Sequence, residues 1–305
     1  MNCMYTNACS LIGKMDELRY MVQKEEFTII GICETWANES INDAELHIDG
    51  YTLFRKDRVS ESQCRGGGVA LYIKDTLRSR LSDKLNTSNF GESIWCTIDL
   101  ADTSLLVGVC YRSTSSSEDN NDKLIELLHT AVEESESSQL LLMGDFNYPE
   151  INYDDYTVIS GEDAPLGKFF TCTQDLFLFQ HVTEFTRCRE NQRPSILDYL
   201  FTYEENSVTN ILYAPPLGKS DHCCLLFEYV INDYSPTEFD SRKLNYWKGD
   251  FASIRKELGE IDWEVMFAGK TVEEMWTYFK RTLQTLCISH VPPRITRSKI
   301  KKKLG

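Results

Sequence analysis

The stretch Leu-Leu-Leu-Met-Gly-Asp-Phe-Asn at residues 140–147 constrains this chain most. Four apolar residues followed by glycine predict a short buried strand. Asp145 and Asn147 then lie two positions apart, and in extended backbone such residues point to the same side. An acid and an amide would therefore face one ligand from a strand end, while Phe146 packs the other way. An ordinary polar turn is the alternative, because Gly, Asp and Asn are common turn residues.

Composition indicates a soluble globular protein. The 305 residues suffice for one large or two smaller domains, and 42% are hydrophobic and 26% charged. No apolar run approaches the roughly 20 residues that span a bilayer, and the N-terminus lacks the basic and apolar parts of a signal peptide. We therefore expect no membrane association.

The 11 cysteines include neither a Cys-x-x-Cys pair nor a Cys/His cluster at zinc spacing. Several lie within apolar runs, namely Cys33, Cys96, Cys110, Cys223 and Cys224. This pattern predicts buried, reduced thiols in an intracellular protein.

The net charge of −15 is unevenly distributed. Residues 236–305 hold 14 basic and 9 acidic residues, whereas residues 1–235 hold 18 and 38. An acidic body argues against broad, passive binding to nucleic acid. It still permits a nucleic-acid enzyme whose bound metal supplies local positive charge.

Hydrophobic periodicity predicts an α/β fold. The predicted strands are 2–6, 27–33, 50–55, 69–73, 94–100, 105–111, 140–143, 196–201 and 223–230. The predicted helices are 11–22, 122–136, 166–178, 251–258 and 272–289, the first two capped by Ser10 and Asp122. We predict two packed mixed sheets flanked by helices in residues 1–231, and a mainly helical segment in residues 232–305.

Arg65-Gly66-Gly67-Gly68 precedes a predicted strand. A triple glycine with an arginine can cradle a phosphate, but the run lacks the Gly-Lys-Ser/Thr of a P-loop and no helix clearly follows it. We predict a hairpin connection.

Several polar residues lie at predicted strand ends: Asn7, Glu34, Tyr111, Asp145, Asn147, Asp198, Asp221 and His222. Ligand crevices of layered α/β proteins form at such ends, although a solvated acid is the simpler explanation for any one of them. Carboxylate and amide oxygens suit a hard cation such as Mg²⁺. A lone histidine beside an acid suits proton transfer or phosphate contact. Together they indicate metal-assisted phosphoester hydrolysis.

Six motifs in this order resemble the endonuclease/exonuclease/phosphatase superfamily: ETW at 34–36, RGGGVALYI at 65–73, VCYR at 109–112, GDFN at 144–147, LDYLF at 197–201 and SDH at 220–222. The strings GYTLFRKDR and SDHCCL are similar, more narrowly, to the apurinic-like endonuclease domain of non-LTR (LINE-type) retrotransposon polyproteins. The resemblance spans essentially residues 1–231. It implies a four-layer α/β sandwich of two mixed sheets flanked by helices.

The resemblance also implies a metal site. Glu34 would be the principal Mg²⁺ ligand, with Asn7 beside it and Asp221 at the metal-side edge. Mn²⁺ would be a plausible substitute.

The same resemblance implies catalytic roles for five residues. Asp145 would orient or deprotonate the attacking water, and Asn147 would hold the scissile phosphate. His222 would stabilise charge on the phosphate or act as general base, with Asp198 fixing its tautomer. Tyr111 would contact the phosphate or the leaving oxygen.

Three further residues complete the predicted substrate-binding set. Thr186 would match a threonine near the phosphate, and Arg112 and Ser220 are assigned supporting positions beside it. The implied substrate is double-stranded DNA, nicked to leave a 3′-hydroxyl for target-primed reverse transcription.

In a full polyprotein the segment 232–305 would precede a linked reverse transcriptase with its RNA template. No YxDD-like polymerase motif occurs in the sequence, so we expect a fragment, a truncated copy or a host-retained remnant. We expect a monomeric domain that acts in the nucleus after transit through the cytoplasm.

Two alternatives remain open. The same fold could hydrolyse an inositol-phosphate or sphingomyelin-type head group, although the sequence around Asp198 lacks the Trp/Cys-rich motif of those relatives. The chain could also be a remnant that binds nucleic acid or a partner without cleaving.

Overall fold

Short apolar runs form the strands of two six-stranded sheets. The computed structural model describes residues 1–58, 66–101, 103–135, 138–153, 155–158, 161, 163–231 and 244–293. The strands are β1 Asn2–Asn7, β2 Ile29–Cys33, β3 Tyr51–Lys56, β4 Val69–Lys74, β5 Ser79–Leu81, β6 Ser93–Asp99, β7 Ser104–Tyr111, β8 Gln139–Asp145, β9 Ile151–Asn152, β10 Thr157–Val158, β11 Phe179–Gln180, β12 Asp198–Thr202, β13 Val208–Ala214 and β14 Cys224–Tyr229. The α-helices are α1 Met15–Glu25, α2 Asp83–Asn86, α3 Glu118–Glu134, α4 Pro165–Asp175, α5 Phe251–Gly259, α6 Trp263–Phe267 and α7 Val272–His290.

The first sheet has the strand order β13-β14-β1-β2-β4-β3, and the second has the order β11-β12-β8-β7-β6-β5, while β9 and β10 form a separate antiparallel pair. Each contains one parallel pair among antiparallel neighbours: β1 with β2, and β7 with β8. Strands β3 and β4 pair antiparallel, as predicted for the hairpin that includes the glycine run, although Arg65 lies outside the described residues.

Three apolar cores separate four layers. One core lies between the sheets and joins residues such as Ile29 and Leu71 to Val107 and Leu141. A second packs α1 on the outer face of the first sheet. A third packs α3 and α4 on the outer face of the second sheet, around Phe169. The predicted sandwich of two mixed sheets flanked by helices is confirmed.

Two predicted helix caps are wrong. Ser10 has a φ of +82°, and α1 begins only at Met15 after a 3₁₀ turn at Ile12–Lys14. Asp122 lies inside α3, which begins four residues earlier because the Ser117 hydroxyl accepts a hydrogen bond from Asn120 N (3.2 Å). The residues just before the predicted helix thus supply both the cap, Ser117, and the first turn of α3.

The chain forms two compact units, Met1–Asp233 and Tyr234–Gly305. The second unit contains α5, α6 and α7, with a small core of Leu244, Ile254, Leu286 and Val291. Among the described residues, no helix has the length and apolar character that crossing a membrane requires.

Candidate active site

Strand ends from both sheets converge at one edge of the sandwich. The first sheet contributes Asn7 at the end of β1 and Glu34 directly after β2. The second contributes Asp145 at the end of β8, opposite Asp198 at the start of the antiparallel strand β12. His222 precedes β14, whose start lies beside the end of β1 because the two strands are antiparallel. The topology therefore gathers residues that are far apart in sequence.

Asn7 links the two sheets. Its Nδ2 donates to Glu34 Oε1 (2.9 Å) and to Asp145 Oδ2 (2.8 Å). The second oxygen of Glu34 accepts from Trp36 Nε1 at 2.9 Å. Glu34 and Trp36 have φ values of +53° and +55°, so the chain turns sharply after β2. One oxygen of Glu34 and one of Asp145, which come from different sheets, thus accept hydrogen bonds from the same amide nitrogen.

Asp198 and His222 form a buried pair. Asp198 Oδ2 lies 2.7 Å from His222 Nδ1, and its Oδ1 accepts from the Tyr5 hydroxyl at 2.9 Å. The backbone N–H of Asp198 donates to Thr186 Oγ1 at 3.2 Å. These contacts fix the orientation of the imidazole and leave its Nε2 facing Asp145, whose Oδ2 is 4.0 Å away.

Burial and charge shift the pKa values of this cluster. Burial alone would lower the pKa of His222, but the charge of Asp198 and its hydrogen bond raise it to about 9. Burial, reinforced by the charge of Asp198, raises the pKa of Asp145 to about 8. Burial and the neighbouring charges thus favour the protonated form of both groups in the metal-free protein.

The ligating atoms of Asp145, Asp198 and His222 lie within 4.8 Å of one another, which makes this a possible cation site. However, this cluster includes an imidazole nitrogen, whereas a hard cation prefers oxygen ligands alone. The oxygens of Glu34 and Asp145 that share Asn7 Nδ2 offer a better oxygen-only position for a hard cation. Glu34 is also only partly buried, so an ion can reach it.

Asp221, the third predicted metal ligand, is tied to other groups. Its Oδ2 accepts from Arg187 Nε at 2.9 Å and its Oδ1 from Cys9 Sγ at 3.4 Å. Cys9 N in turn donates to Asn7 Oδ1 at 3.0 Å. Asp221 is therefore connected to Asn7 through one intervening residue.

The two other predicted catalytic residues lie beside Asp145. Tyr111 pairs with Asp145 across β7 and β8, and burial and the charge of Glu34 raise the pKa of its phenol. The phenol therefore keeps its proton and remains a donor. Asn147 has a φ of +52°; its N–H donates to Asp145 Oδ1 (3.1 Å) and its Nδ2 to Arg112 O (2.8 Å).

The three predicted substrate-binding residues bond to the protein itself. Arg112 Nε donates to Asn121 Oδ1 (2.7 Å), and its guanidinium lies over the Tyr148 ring at 4.0 Å. Ser220 Oγ donates to Asn7 O (2.7 Å) and accepts from His222 N (3.2 Å). Thr186 Oγ1 accepts from two backbone N–H groups. All three hold backbone or neighbouring side chains of the site in place, and contact with a substrate stays a prediction.

Sequence reasoning missed two residues that orient the site. Tyr5 lies two positions before Asn7 in β1, so alternation puts both on one side, and this spacing could have identified it. Trp36 stands within the ETW motif, and its indole bond to Glu34 gives that motif a physical reason.

Comparisons with known proteins agree with this geometry. Residues 105–226 match the family model described as Endonuclease-reverse transcriptase. The endonuclease domain of TRAS1, a telomere-specific non-LTR retrotransposon, superposes with a TM-score of 0.56 and 14% identity, covering 75% of this chain and 97% of that one. The AP endonuclease LMAP from Leishmania major superposes with a TM-score of 0.58 and 17% identity, covering 75% of this chain and 88% of that one.

The 3′-5′ exonuclease NExo from Neisseria meningitidis gives a TM-score of 0.55 and 13% identity, covering 76% of this chain and 100% of that one. No curated protein sequence matches the chain. The resemblance read from the motifs is therefore confirmed: the chain has the endonuclease/exonuclease/phosphatase fold and is similar to the retrotransposon type of endonuclease.

Proposed function

We propose that this chain is a Mg²⁺-dependent endonuclease that nicks double-stranded DNA and leaves a 3′-hydroxyl. One observation carries the proposal: Asn7 Nδ2 joins Glu34 and Asp145 across the two sheets, directly beside the buried Asp198–His222 pair. This places oxygen ligands for a cation next to groups that transfer protons. Such a combination suits hydrolysis of a phosphodiester.

Glu34 and Asn7 would hold the cation, with Asp145 on the opposite side and Asp221 at the edge. Their oxygen donors suit Mg²⁺, and Mn²⁺ would substitute. When bound, the cation would stabilise negative charge on the phosphate oxygens and lower the pKa of nearby carboxyl groups.

The side chains would divide the remaining work. Asp145, in its ionised form, accepts a proton from the attacking water, which adds to phosphorus as the bond to the 3′-oxygen breaks. Protonated His222 donates from Nε2 to a phosphate oxygen and offsets the charge that develops there. Tyr111 donates to the leaving 3′-oxygen, and Asn147 contacts the phosphate. The products are a 3′-hydroxyl and a 5′-phosphate.

The test is nicking of supercoiled plasmid by the purified full chain, with Mg²⁺ or with EDTA. His222→Ala should abolish nicking, whereas His181→Ala should retain it, because the His181 ring is also buried but lies 2.7 Å from Thr202 Oγ1, outside the site. A polymerase should extend the nicked product without prior phosphatase treatment, which would establish the 3′-hydroxyl.

A folded chain that does not nick would contradict the proposal. Release of phosphate from soluble phosphoesters would then support the head-group alternative. DNA binding without any hydrolysis would support a binding remnant. In the host, the proposed setting is a polyprotein that carries reverse transcriptase and acts in the nucleus.

A further inference from the structure

A half-buried ion pair lies beside the site, formed by residues to which nothing above assigns a role. Arg58 donates from Nε and from one terminal nitrogen to the two oxygens of Glu92, at 2.9 and 2.7 Å. The two side chains are 24% and 17% exposed. A bidentate pair in this environment holds the guanidinium in one orientation.

The glycine run is shaped around this pair. Gly67 has a φ of +75°, and a Cβ at this position would lie 2.2 Å from Glu92 Oε1 and 2.3 Å from Arg58 Nε. Gly68 N donates to the same Glu92 oxygen at 3.2 Å. Gly67 O accepts from Trp36 N at 3.0 Å, so the glycine run also contacts the turn that follows β2. Only glycine fits between the ion pair and this turn.

The ion pair also reaches Tyr111. The backbone N–H of Tyr111 donates to Glu92 O at 2.9 Å, and the Arg58 guanidinium carbon lies 5.6 Å from the centre of the Tyr111 ring. This distance is within the range of a cation–π contact. The backbone carbonyl of Glu92 thus holds the Tyr111 backbone, and the Arg58 guanidinium, fixed by the Glu92 carboxylate, contacts the Tyr111 ring.

We propose that Arg58 is a positioning residue for Tyr111, with Glu92 fixing the guanidinium against the phenol ring so that the hydroxyl is held toward the substrate. Arg58 directs two of its N–H groups at Glu92, which favours positioning over direct grasp of a phosphate. The inference rests on the proposed function, because it assigns Tyr111 a part in hydrolysis.

A double-mutant cycle tests whether Arg58 acts through Tyr111. Arg58→Met should lower kcat for nicking roughly 3- to 30-fold with little change in KM, the range expected for a lost cation–π contact. Arg58→Lys, which keeps the charge, should lose less. In Tyr111→Phe, adding Arg58→Met should cause no further loss.

Arg80→Met is the matched control, because Arg80, on the edge strand β5, pairs with Asp99 of β6 rather than with any residue of the site. Independent losses that multiply in the double variant would overturn the proposal, as would a Tyr111→Phe variant with full activity. If Arg58→Met fails to fold, Glu92→Gln is tested in its place, and the same loss of kcat is expected. Full activity of Glu92→Gln would contradict the proposal.

A measurement without catalysis separates this inference from the proposed function. With 3-fluorotyrosine incorporated at position 111 of the full chain, the fluorine resonance should move in Arg58→Met and stay in Arg80→Met. An unchanged resonance in Arg58→Met would refute the positioning role, even if the wild type nicks DNA. Absence of nicking by the wild type, with the resonance moving as expected, would refute the proposed function alone.

Discussion

Asp198→Asn tests what sets the charge of the His222 imidazole. His222 is 4% exposed, and burial by itself would lower its pKa. The Asp198 carboxylate, 2.7 Å from Nδ1, outweighs burial and raises the pKa to about 9. Asparagine keeps an oxygen near Nδ1 but removes the charge. We therefore expect the pKa of His222 to fall toward its ordinary value of 6.5.

The size of the effect follows from the shift. A rise from 6.5 to about 9 favours the imidazolium form by on the order of 3 kcal/mol. Because the pKa is higher in the folded state, this stabilisation is fully present below pH 6.5 and is lost as pH rises through about 9. Ionisation of Asp145 likewise lowers the free energy of unfolding as pH rises. Because the pKa of Asp145 is about 8, most of that loss occurs below pH 8.

Between pH 8 and pH 10 the free energy of unfolding should thus fall in the wild type, and it should fall less in Asp198→Asn. NMR titration of the His222 ring gives the pKa directly. Nicking by Asp198→Asn should be slower by on the order of 10²-fold or more, while DNA binding changes little.

Asp221→Asn is the control in the metal-free protein, because its charge contributes less than that of Asp198 to raising the pKa of His222. A His222 pKa that stays near 9 in Asp198→Asn would refute the assignment of the shift to this pair.

Three shorter predictions follow from other contacts. Glu34→Ala should lower Mg²⁺-dependent nicking at least about 10²-fold while the protein still folds, because the side chain is partly exposed rather than part of the core; nicking at the wild-type rate would remove Glu34 from the metal site. Tyr5→Phe should destabilise the fold by about 1.5–3 kcal/mol in urea unfolding, because it removes the hydroxyl that donates to Asp198 Oδ1; an unchanged midpoint would contradict this. Gly67→Ala should cost at least ~1–3 kcal/mol, since both its φ of +75° and the Glu92 oxygen oppose a Cβ; Gly161→Ala, where no atom of the described residues lies within 4 Å of the added atom, is the control.

Much of the fold could be predicted because most strands and helices carry a recognisable local pattern of apolar residues. The apolar run at 140–143 lies within β8, and the alternation over 94–100 and 105–111 gives the hairpin of β6 and β7. Strand β13 was missed because its alternation is broken by a register shift between Thr209 and Leu212, where Asn210 has a φ of +54°. The start of α3 was misplaced because serine is common both in loops and at helix N-caps.

The sequence indicated which residues lie at the candidate site, but it could not indicate which of their atoms are in contact. Asp145 and Asn147 are marked by their position after an apolar run, and Glu34 by its position after β2. Which atoms meet depends on strand order and register, because Asp198 lies opposite Asp145 only through the pairing of β12 with β8. No local pattern specifies that pairing.

The bridging amide of Asn7 shows why the two-sheet arrangement matters for chemistry. Glu34 and Asp145 belong to different sheets, and the apolar core between those sheets sets the distance between them. Gly31 lies in that core, where a Cβ would come within 2.9 Å of Met143 Cε. A larger residue there would have to displace Met143 and Val109 of the second sheet, the sheet that holds one of the two carboxylates bonded to Asn7 Nδ2. The close packing around Gly31 therefore supports the geometry of the candidate site as well as the fold.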